Sequence, residues 1–153
     1  MSTNQNKNKK HIFFMNLALK QAMINLGNTR ENPSVGCIIT KNNSVVSAGY
    51  TSFNGRPHAE QNAINNSREK LINSNLYVTL EPCSHYGKTP PCVQKIIKNK
   101  IRKVYFSIKD PDIRSSNKSS KKFKKSNIGV NVGIFSKEIN EFYKSYILFK
   151  KEE

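Results

Sequence analysis

Two short stretches of the sequence decide its fold and its chemistry: PHAEQNAI at residues 57–64 and LYVTLEPCSHYGKTPPC at residues 76–92. The first predicts the start of a helix, because Pro57 is favourable at a helix entrance. The second predicts a buried strand over residues 76–80 that ends in Glu-Pro-Cys, followed by a loop and a helix that opens at Pro91. Two helix starts and one strand end can converge at one corner of a sheet.

The corner predicted in this way carries residues that bind metals. Zinc prefers nitrogen and thiolate ligands, and a catalytic zinc has three protein ligands and an open position for water. His58, Cys83 and Cys92 supply such a set, and helix N-termini favour thiolates. Glu60 is suited to move a proton from the water to a leaving amine, as in hydrolytic deaminases. A purely structural zinc would need a fourth ligand, for which His85 is the only nearby candidate.

The rest of the chain predicts one domain of the α/β class over residues 11–150, preceded by a disordered basic tail at residues 1–10. Residues 114–127 form a cationic stretch, read as a solvated loop or a weak helix, and the KKFKK run within it as a solvated face. The order of elements predicts a three-layer α-β-α sandwich with a mixed five-stranded sheet. The remaining predicted elements are helices over 11–26 and 136–149 and strands over 35–39, 45–53, 103–108 and 128–134.

Composition limits the classes of partner and compartment. The chain has 153 residues, three cysteines and a formal net charge of +16. Lysine, asparagine and isoleucine are overused in every region alike, which indicates an AT-rich genome, so we expect no nucleic-acid partner. No apolar run suits a signal peptide or a membrane span, and we therefore expect a cytoplasmic protein. Cys37 is read as a core residue, and His11 as a surface residue.

In order and spacing, four segments resemble the deaminase domain of bacterial riboflavin-biosynthesis deaminase-reductases. They are ENPSVGCIIT at 31–40, PHAEQNAI, the segment in which eight residues separate Cys83 from Cys92, and Asp110-Pro111. The resemblance implies a cytidine-deaminase-like fold and one zinc ion per chain. It also implies removal of an amine from a phosphoribosylated substrate, 2,5-diamino-6-(5-phosphoribosylamino)pyrimidin-4-one, to give 5-amino-6-(5-phosphoribosylamino)uracil.

The same resemblance assigns roles to individual residues. His58, Cys83 and Cys92 take the family's metal-ligand positions, and Glu60 takes that of the proton donor. The substrate-binding positions are Asn32, which would hold the pyrimidine, and Ala59, His85 and Lys88. An amide can satisfy the donor and acceptor edges of a heterocycle, and a lysine ammonium can meet a phosphorylated ligand.

The chain also departs from the family pattern. Thr51 stands where the family has a histidine, and Asp112 stands where it has an asparagine. The family's reductase domain does not occur within these 153 residues, which indicates either a fragment or, as we expect, a separate reductase polypeptide. By resemblance we also expect a homo-oligomer. Two alternatives follow from these departures and from the charge: a transfer-RNA or nucleotide deaminase of the same superfamily, and a catalytically silent zinc-binding partner subunit.

Overall fold

A computed structural model describes the backbone of residues 2–152 and the side chains of residues 4–152. Within that range, six α-helices surround a five-stranded sheet. No helix in this part of the chain is long and apolar enough to cross a membrane. The elements in chain order are α1 (Ser2–Met23), β1 (Gly36–Lys41), β2 (Ser44–Tyr50), α2 (Ala59–Asn66), β3 (Asn75–Leu80), α3 (Cys92–Lys98), β4 (Lys103–Ile108), α4 (Ser119–Lys125), β5 (Gly129–Val132), α5 (Ser136–Phe142) and α6 (Lys144–Glu152).

The sheet is mixed and has the strand order β2-β1-β3-β4-β5. The strand β1 pairs antiparallel with both β2 and β3, whereas β3, β4 and β5 run parallel. Parallel neighbours need crossover connections, which here contain α3 and α4. Because Leu80 pairs with Ile108 at the ends of β3 and β4, the segments that follow these two strands leave the sheet at the same edge.

Two glycines show that helices cover both faces of the sheet. A Cβ atom on Gly36 would collide with the backbone of Ala18 in α1, and one on Gly49 would collide with the backbone of Ala63 in α2. Gly49 pairs with Cys37, the residue after Gly36, and successive strand residues face opposite sides. The helices α1 and α2 therefore lie on opposite faces, and the predicted three-layer α-β-α sandwich is confirmed. Cys37 is fully buried in the core, as predicted.

The predictions for the two ends of the fold need correction. The helix α1 begins at Ser2, so the prediction of a disordered tail over residues 1–10 is wrong for residues 2–10, while residue 1 lies outside the described residues. Extending an anchored helix costs little, because the expensive step is nucleation and this segment has no proline or glycine. The last predicted helix is divided at Tyr143 into α5 and α6.

The cationic stretch at residues 114–127 contains a helix that packs on the core. The helix α4 occupies Ser119–Lys125, and the ring of Phe123 is completely buried. The stretch is therefore not a solvated loop throughout. Its single aromatic residue anchors it, while most of its lysines are exposed.

His11 is buried, so the prediction that it lies on the surface is wrong. Its Nδ1 atom lies 2.6 Å from the Tyr77 hydroxyl, and its ring stacks on Tyr105 with the centroids 4.5 Å apart. Burial, and then the charges of Lys10 and Lys103, lower the pKa of His11. Protonation therefore costs more in the folded chain than in the unfolded chain.

We predict that this histidine makes the fold sensitive to acid. A lowered folded-state pKa contributes stability that is lost as the pH falls below about 6.5, the value for an unfolded chain. The substitution His11→Gln removes the titration and retains a partner for the Tyr77 hydroxyl. Urea unfolding between neutral and mildly acidic pH should show the wild type losing stability relative to the variant. Parallel stability curves for the two proteins would contradict this account.

Candidate active site

The side chains of His58, Cys83 and Cys92 meet at the edge where β3 ends. His58 caps the N-terminus of α2, and its carbonyl accepts a hydrogen bond from the Asn62 N–H at 3.0 Å. Cys83 lies three residues beyond β3, and Cys92 is the first residue of α3. The N–H of Cys92 donates to the Cys83 sulfur at 3.2 Å, and the N–H of Val93 donates to the Cys83 carbonyl at 3.2 Å. These bonds fix the loop ends relative to each other.

The spacing of the three ligand atoms suits a zinc ion. His58 Nδ1 lies 3.7 Å from Cys83 Sγ and 3.5 Å from Cys92 Sγ, and the three atoms lie within 4.8 Å of one another. Tetrahedral zinc with ordinary bond lengths places nitrogen and sulfur ligands about 3.5 Å apart, and two sulfurs about 3.8 Å apart. Two thiols and one imidazole therefore fit zinc and leave one coordination position open.

The pKa values of the two thiols are shifted in opposite directions. The hydrogen bond with the Cys92 side chain is the largest cause that lowers the pKa of Cys83, and His58 acts in the same direction. The same hydrogen bond raises the pKa of Cys92. Since a zinc ion requires both thiolates, its binding releases protons and weakens in acid.

Glu60 places a carboxyl group beside this metal-ligand cluster. It lies in the first turn of α2, is only 4% exposed and lines the same cavity as His58 and Cys83. Burial, and then the charge of Cys83, raise the pKa of Glu60 to about 7. A carboxyl group with a pKa near neutrality can both accept and release a proton during a reaction.

The cavity has a volume of about 150 Å³ and is built from several loops. One wall carries His58, Cys83 and Glu60, and the others come from the segment before β1, the segment after β4 and α6. Next to it lies a second recess of about 370 Å³. Four cationic residues line this recess, namely Arg30, Arg56, Lys88 and Arg114.

The predicted substrate-binding residues do not all line the same space. Asn32 and His85 line the cavity, whereas Lys88 lines the cationic recess. The Asn32 amide is held by donation to the Gly55 carbonyl at 3.0 Å. Ala59 does not line the cavity; it is completely buried, so a substrate contact from it would have to come from its main chain.

His85 does not belong to the metal-ligand cluster. The cluster found among the described side chains, those of residues 4–152, consists of His58, Cys83 and Cys92, without a fourth side chain. The Nδ1 atom of His85 instead lies 2.7 Å from the Ser115 hydroxyl. This contact joins the loop between the two cysteines to the segment after β4, and it argues against a purely structural zinc site.

Both positions that depart from the family pattern face the cavity. Thr51 is buried, and its Oγ1 atom accepts a hydrogen bond from the Val35 N–H at 2.9 Å. It thereby joins the end of β2 to the segment that carries Asn32. Asp112 binds Arg114 through its carboxylate, and both side chains line the cavity.

Glu81 organises the loops of the site, although the sequence did not single it out. Its buried carboxylate accepts hydrogen bonds from the N–H groups of Asp110 and Asn117, each at 3.2 Å, and from the Ser119 hydroxyl at 2.7 Å. These donors lie between β4 and the start of α4. The segment after β3, which leads to Cys83, is therefore fixed to the segment after β4.

Lys122 was also missed, because it lies in a run of similar lysines. Its Nζ atom donates to the Ser84 carbonyl at 2.7 Å, so the helix α4 holds the loop between the cysteines. The nearest sequence signal is the KKFKK run itself, in which the buried Phe123 fixes the helix and thereby directs Lys122 toward the loop.

Sequence comparison relates the chain to zinc-dependent deaminases. Residues 8–108 match a family model described as the cytidine and deoxycytidylate deaminase zinc-binding region. The diaminohydroxyphosphoribosylamino-pyrimidine deaminase of Buchnera aphidicola subsp. Schizaphis graminum is 40% identical over 137 residues, which are 90% of this chain and 93% of that protein. The riboflavin biosynthesis protein RibD of Aquifex aeolicus is 38% identical over 92% of this chain, but the match spans only 39% of the relative.

Comparison with solved structures finds proteins of the same kind. RibD of Acinetobacter baumannii superposes with a TM-score of 0.89 at 32% identity, over 94% of this chain and 41% of that one. A deaminase and uracil reductase of Thermotoga maritima gives 0.85 at 35% identity, over 94% and 43%. A cyanophage dCMP deaminase, at 23% identity and a TM-score of 0.62 over 80% and 95%, shares the fold. The chain thus spans nearly all of the Buchnera protein and about two fifths of these RibD proteins.

We predict that Lys122 keeps the loop between the cysteines closed. Hydrogen bonds from charged groups contribute more than neutral ones, so Lys122→Met should speed amide hydrogen exchange in residues 84–90 by roughly fivefold. Hydrogen-exchange mass spectrometry of the peptide measures this directly. The neighbouring exposed residue provides the matched control, Lys121→Met, which should leave the exchange rate unchanged. Equal rates in both variants would show that Lys122 does not hold the loop.

Proposed function

The chain belongs to the cytidine and deoxycytidylate deaminase family, and on that premise we propose that it is a zinc-dependent deaminase of riboflavin biosynthesis. Its substrate is 2,5-diamino-6-(5-phosphoribosylamino)pyrimidin-4-one, and its products are 5-amino-6-(5-phosphoribosylamino)uracil and ammonia. The Buchnera relative, which this chain matches over almost its whole length, carries the name of that deaminase. The observation that carries the proposal is the His58, Cys83 and Cys92 cluster beside the buried carboxyl group of Glu60.

His58, Cys83 and Cys92 would hold one zinc ion per chain. When bound there, zinc would supply the means to activate water as a nucleophile at neutral pH. The Cys92 N–H donates to the Cys83 sulfur, which stabilises the thiolate form of that ligand. The hydrogen bond between His58 O and the Asn62 N–H holds the His58 backbone at the entrance of α2.

Glu60 would move the proton that the reaction requires. Deamination adds water across an amidine carbon and releases ammonia, so one proton must pass from the water to the departing nitrogen. The carboxyl group of Glu60 faces the cavity next to His58 and Cys83, where it can take a proton from the water and pass it to the departing amine. Its burial also excludes bulk water from competing with this transfer.

The cavity and the adjacent cationic recess suit the two parts of the substrate, which are the pyrimidine ring and the phosphoribosyl group. Asn32 lines the cavity, and its amide can pair with the donor and acceptor edges of a pyrimidine ring. The recess beside it is lined by Arg30, Arg56, Lys88 and Arg114, which suits the phosphate of a phosphoribosyl group. Asn32, Arg56 and Arg114 border both spaces and would lie near the ribose.

The wider setting of the enzyme is part of the proposal. The product is the substrate of a uracil reductase, the second activity in the name of the Thermotoga protein. We propose that a separate polypeptide supplies that step, because the Buchnera relative, 93% of which is covered by the match, carries only the deaminase name. The three free cysteines support a reducing compartment such as the cytoplasm. A homo-oligomer remains a prediction.

We predict that the zinc-loaded protein releases ammonia from the diaminopyrimidinone phosphate. The variant Glu60→Gln should retain zinc and fold but lose activity by about 10²- to 10⁴-fold, the usual contribution of a proton-transferring group. A coupled ammonia assay measures the rate, and metal analysis measures the zinc content. The exposed residue Glu69 gives the matched control, Glu69→Gln, which should have wild-type activity.

The same assay separates the alternatives. Zinc binding without ammonia release from any substrate would identify a catalytically silent subunit. Release from deoxycytidylate or from transfer RNA, but not from the diaminopyrimidinone, would move the substrate to another branch of the superfamily. Either result would refute the proposed function.

A further inference from the structure

A cluster of three charged side chains forms part of the cavity wall. The Asp112 carboxylate binds the Arg114 guanidinium through Nε at 3.0 Å and Nη2 at 2.5 Å, and the ammonium group of Lys150 lies 3.8 Å away. The side chains of Asp112 and Lys150 are only 11% and 13% exposed, whereas that of Arg114 is 63% exposed. One partly buried anion thus holds two cations, one of them largely in solvent.

Asp112 is itself held in place. Its N–H donates to the Asp110 carboxylate at 2.9 Å, and the Asp110 N–H donates to the buried carboxylate of Glu81. Its Oδ1 atom also accepts the Arg114 N–H at 3.0 Å, so the backbone and the side chain of Arg114 are bound to the same carboxylate. A guanidinium fixed at several points keeps its orientation more strictly than a free side chain does.

The position of this cluster explains why a fixed orientation of Arg114 matters for substrate binding. Asp112, Arg114 and Lys150 all line the cavity, and Arg114 also borders the cationic recess. Arg114 therefore stands at the junction of the spaces assigned to the ring and the phosphate. A cation that is already oriented at this point binds an anion without the loss of rotamer freedom that a mobile arginine would suffer.

We propose that Asp112 is a positioning residue that holds Arg114 ready for the substrate phosphate, and thereby sets specificity for phosphorylated substrates. This inference rests on the proposed deaminase function. Arg114 borders the recess assigned to the phosphate, so the effect concerns substrate binding rather than the chemical step.

The carboxylate could also act in the opposite direction, by repelling the phosphate. Positioning dominates here for two reasons. Each oxygen of Asp112 already binds a cation, so its charge is offset before a phosphate arrives. The hydrogen bond from Arg114 also holds the pKa of Asp112 well below its usual range, so the ion pair persists at every pH at which the enzyme would be assayed.

The test compares the phosphorylated substrate with its dephosphorylated riboside. The isosteric variant Asp112→Asn should raise KM for the phosphorylated substrate by roughly fivefold while kcat changes less than twofold, because preorganisation of the phosphate contact is lost. The riboside should show a much smaller change in KM. Ribose 5-phosphate, used as a competitive inhibitor, should bind the variant more weakly by a similar factor.

A double-mutant cycle assigns the effect to Arg114. If Asp112 acts through that side chain, adding Asp112→Asn to Arg114→Gln should change KM little further. An unchanged or lowered KM in Asp112→Asn, or an equal change with the riboside, would overturn the inference. Wild-type protein that released no ammonia from either substrate would refute the proposed function instead. If Asp112→Asn fails to fold, Arg114→Gln must raise KM for the phosphorylated substrate alone, or the inference fails.

Discussion

The geometry of the site depends on one buried anion, the carboxylate of Glu81. An unpaired buried charge would be strongly destabilising, so this group requires several donors. The N–H groups of Asp110 and Asn117 and the hydroxyl of Ser119 supply them. Satisfying Glu81 therefore fixes the segment that leads to Cys83 against the segment that carries Asp112. The metal-ligand cluster and the charged wall of the cavity are held in register by the same carboxylate.

The sheet explains why these two segments meet. Because β3 and β4 are parallel and Leu80 pairs with Ile108, both chains leave the sheet at one edge, where polar groups can converge without disturbing the apolar core. The backbone of α2 packs closely against Gly49 of β2. This close packing places His58 and Glu60 at the same edge. The site is thus a consequence of strand order and of one glycine contact.

Local pattern was sufficient to predict most elements and the residues of the metal-ligand cluster. His58, Cys83 and Cys92 stand at helix starts and a strand end that periodicity and proline placement reveal. Glu81 and Lys122 could not be found in this way, because their partners lie 29 to 38 residues away in sequence. The burial of His11 was not predicted, because the periodicity of apolar residues gives no indication of a histidine that packs against two tyrosines.

The central claim is that His58, Cys83 and Cys92 hold one catalytic zinc ion with an open position. X-ray absorption spectroscopy at the zinc edge tests it most directly. The account predicts one zinc per chain, with two sulfur ligands at about 2.3 Å and two nitrogen or oxygen ligands at about 2.0 Å. A shell without sulfur, or one completed by a fourth protein ligand such as a second imidazole, would contradict it.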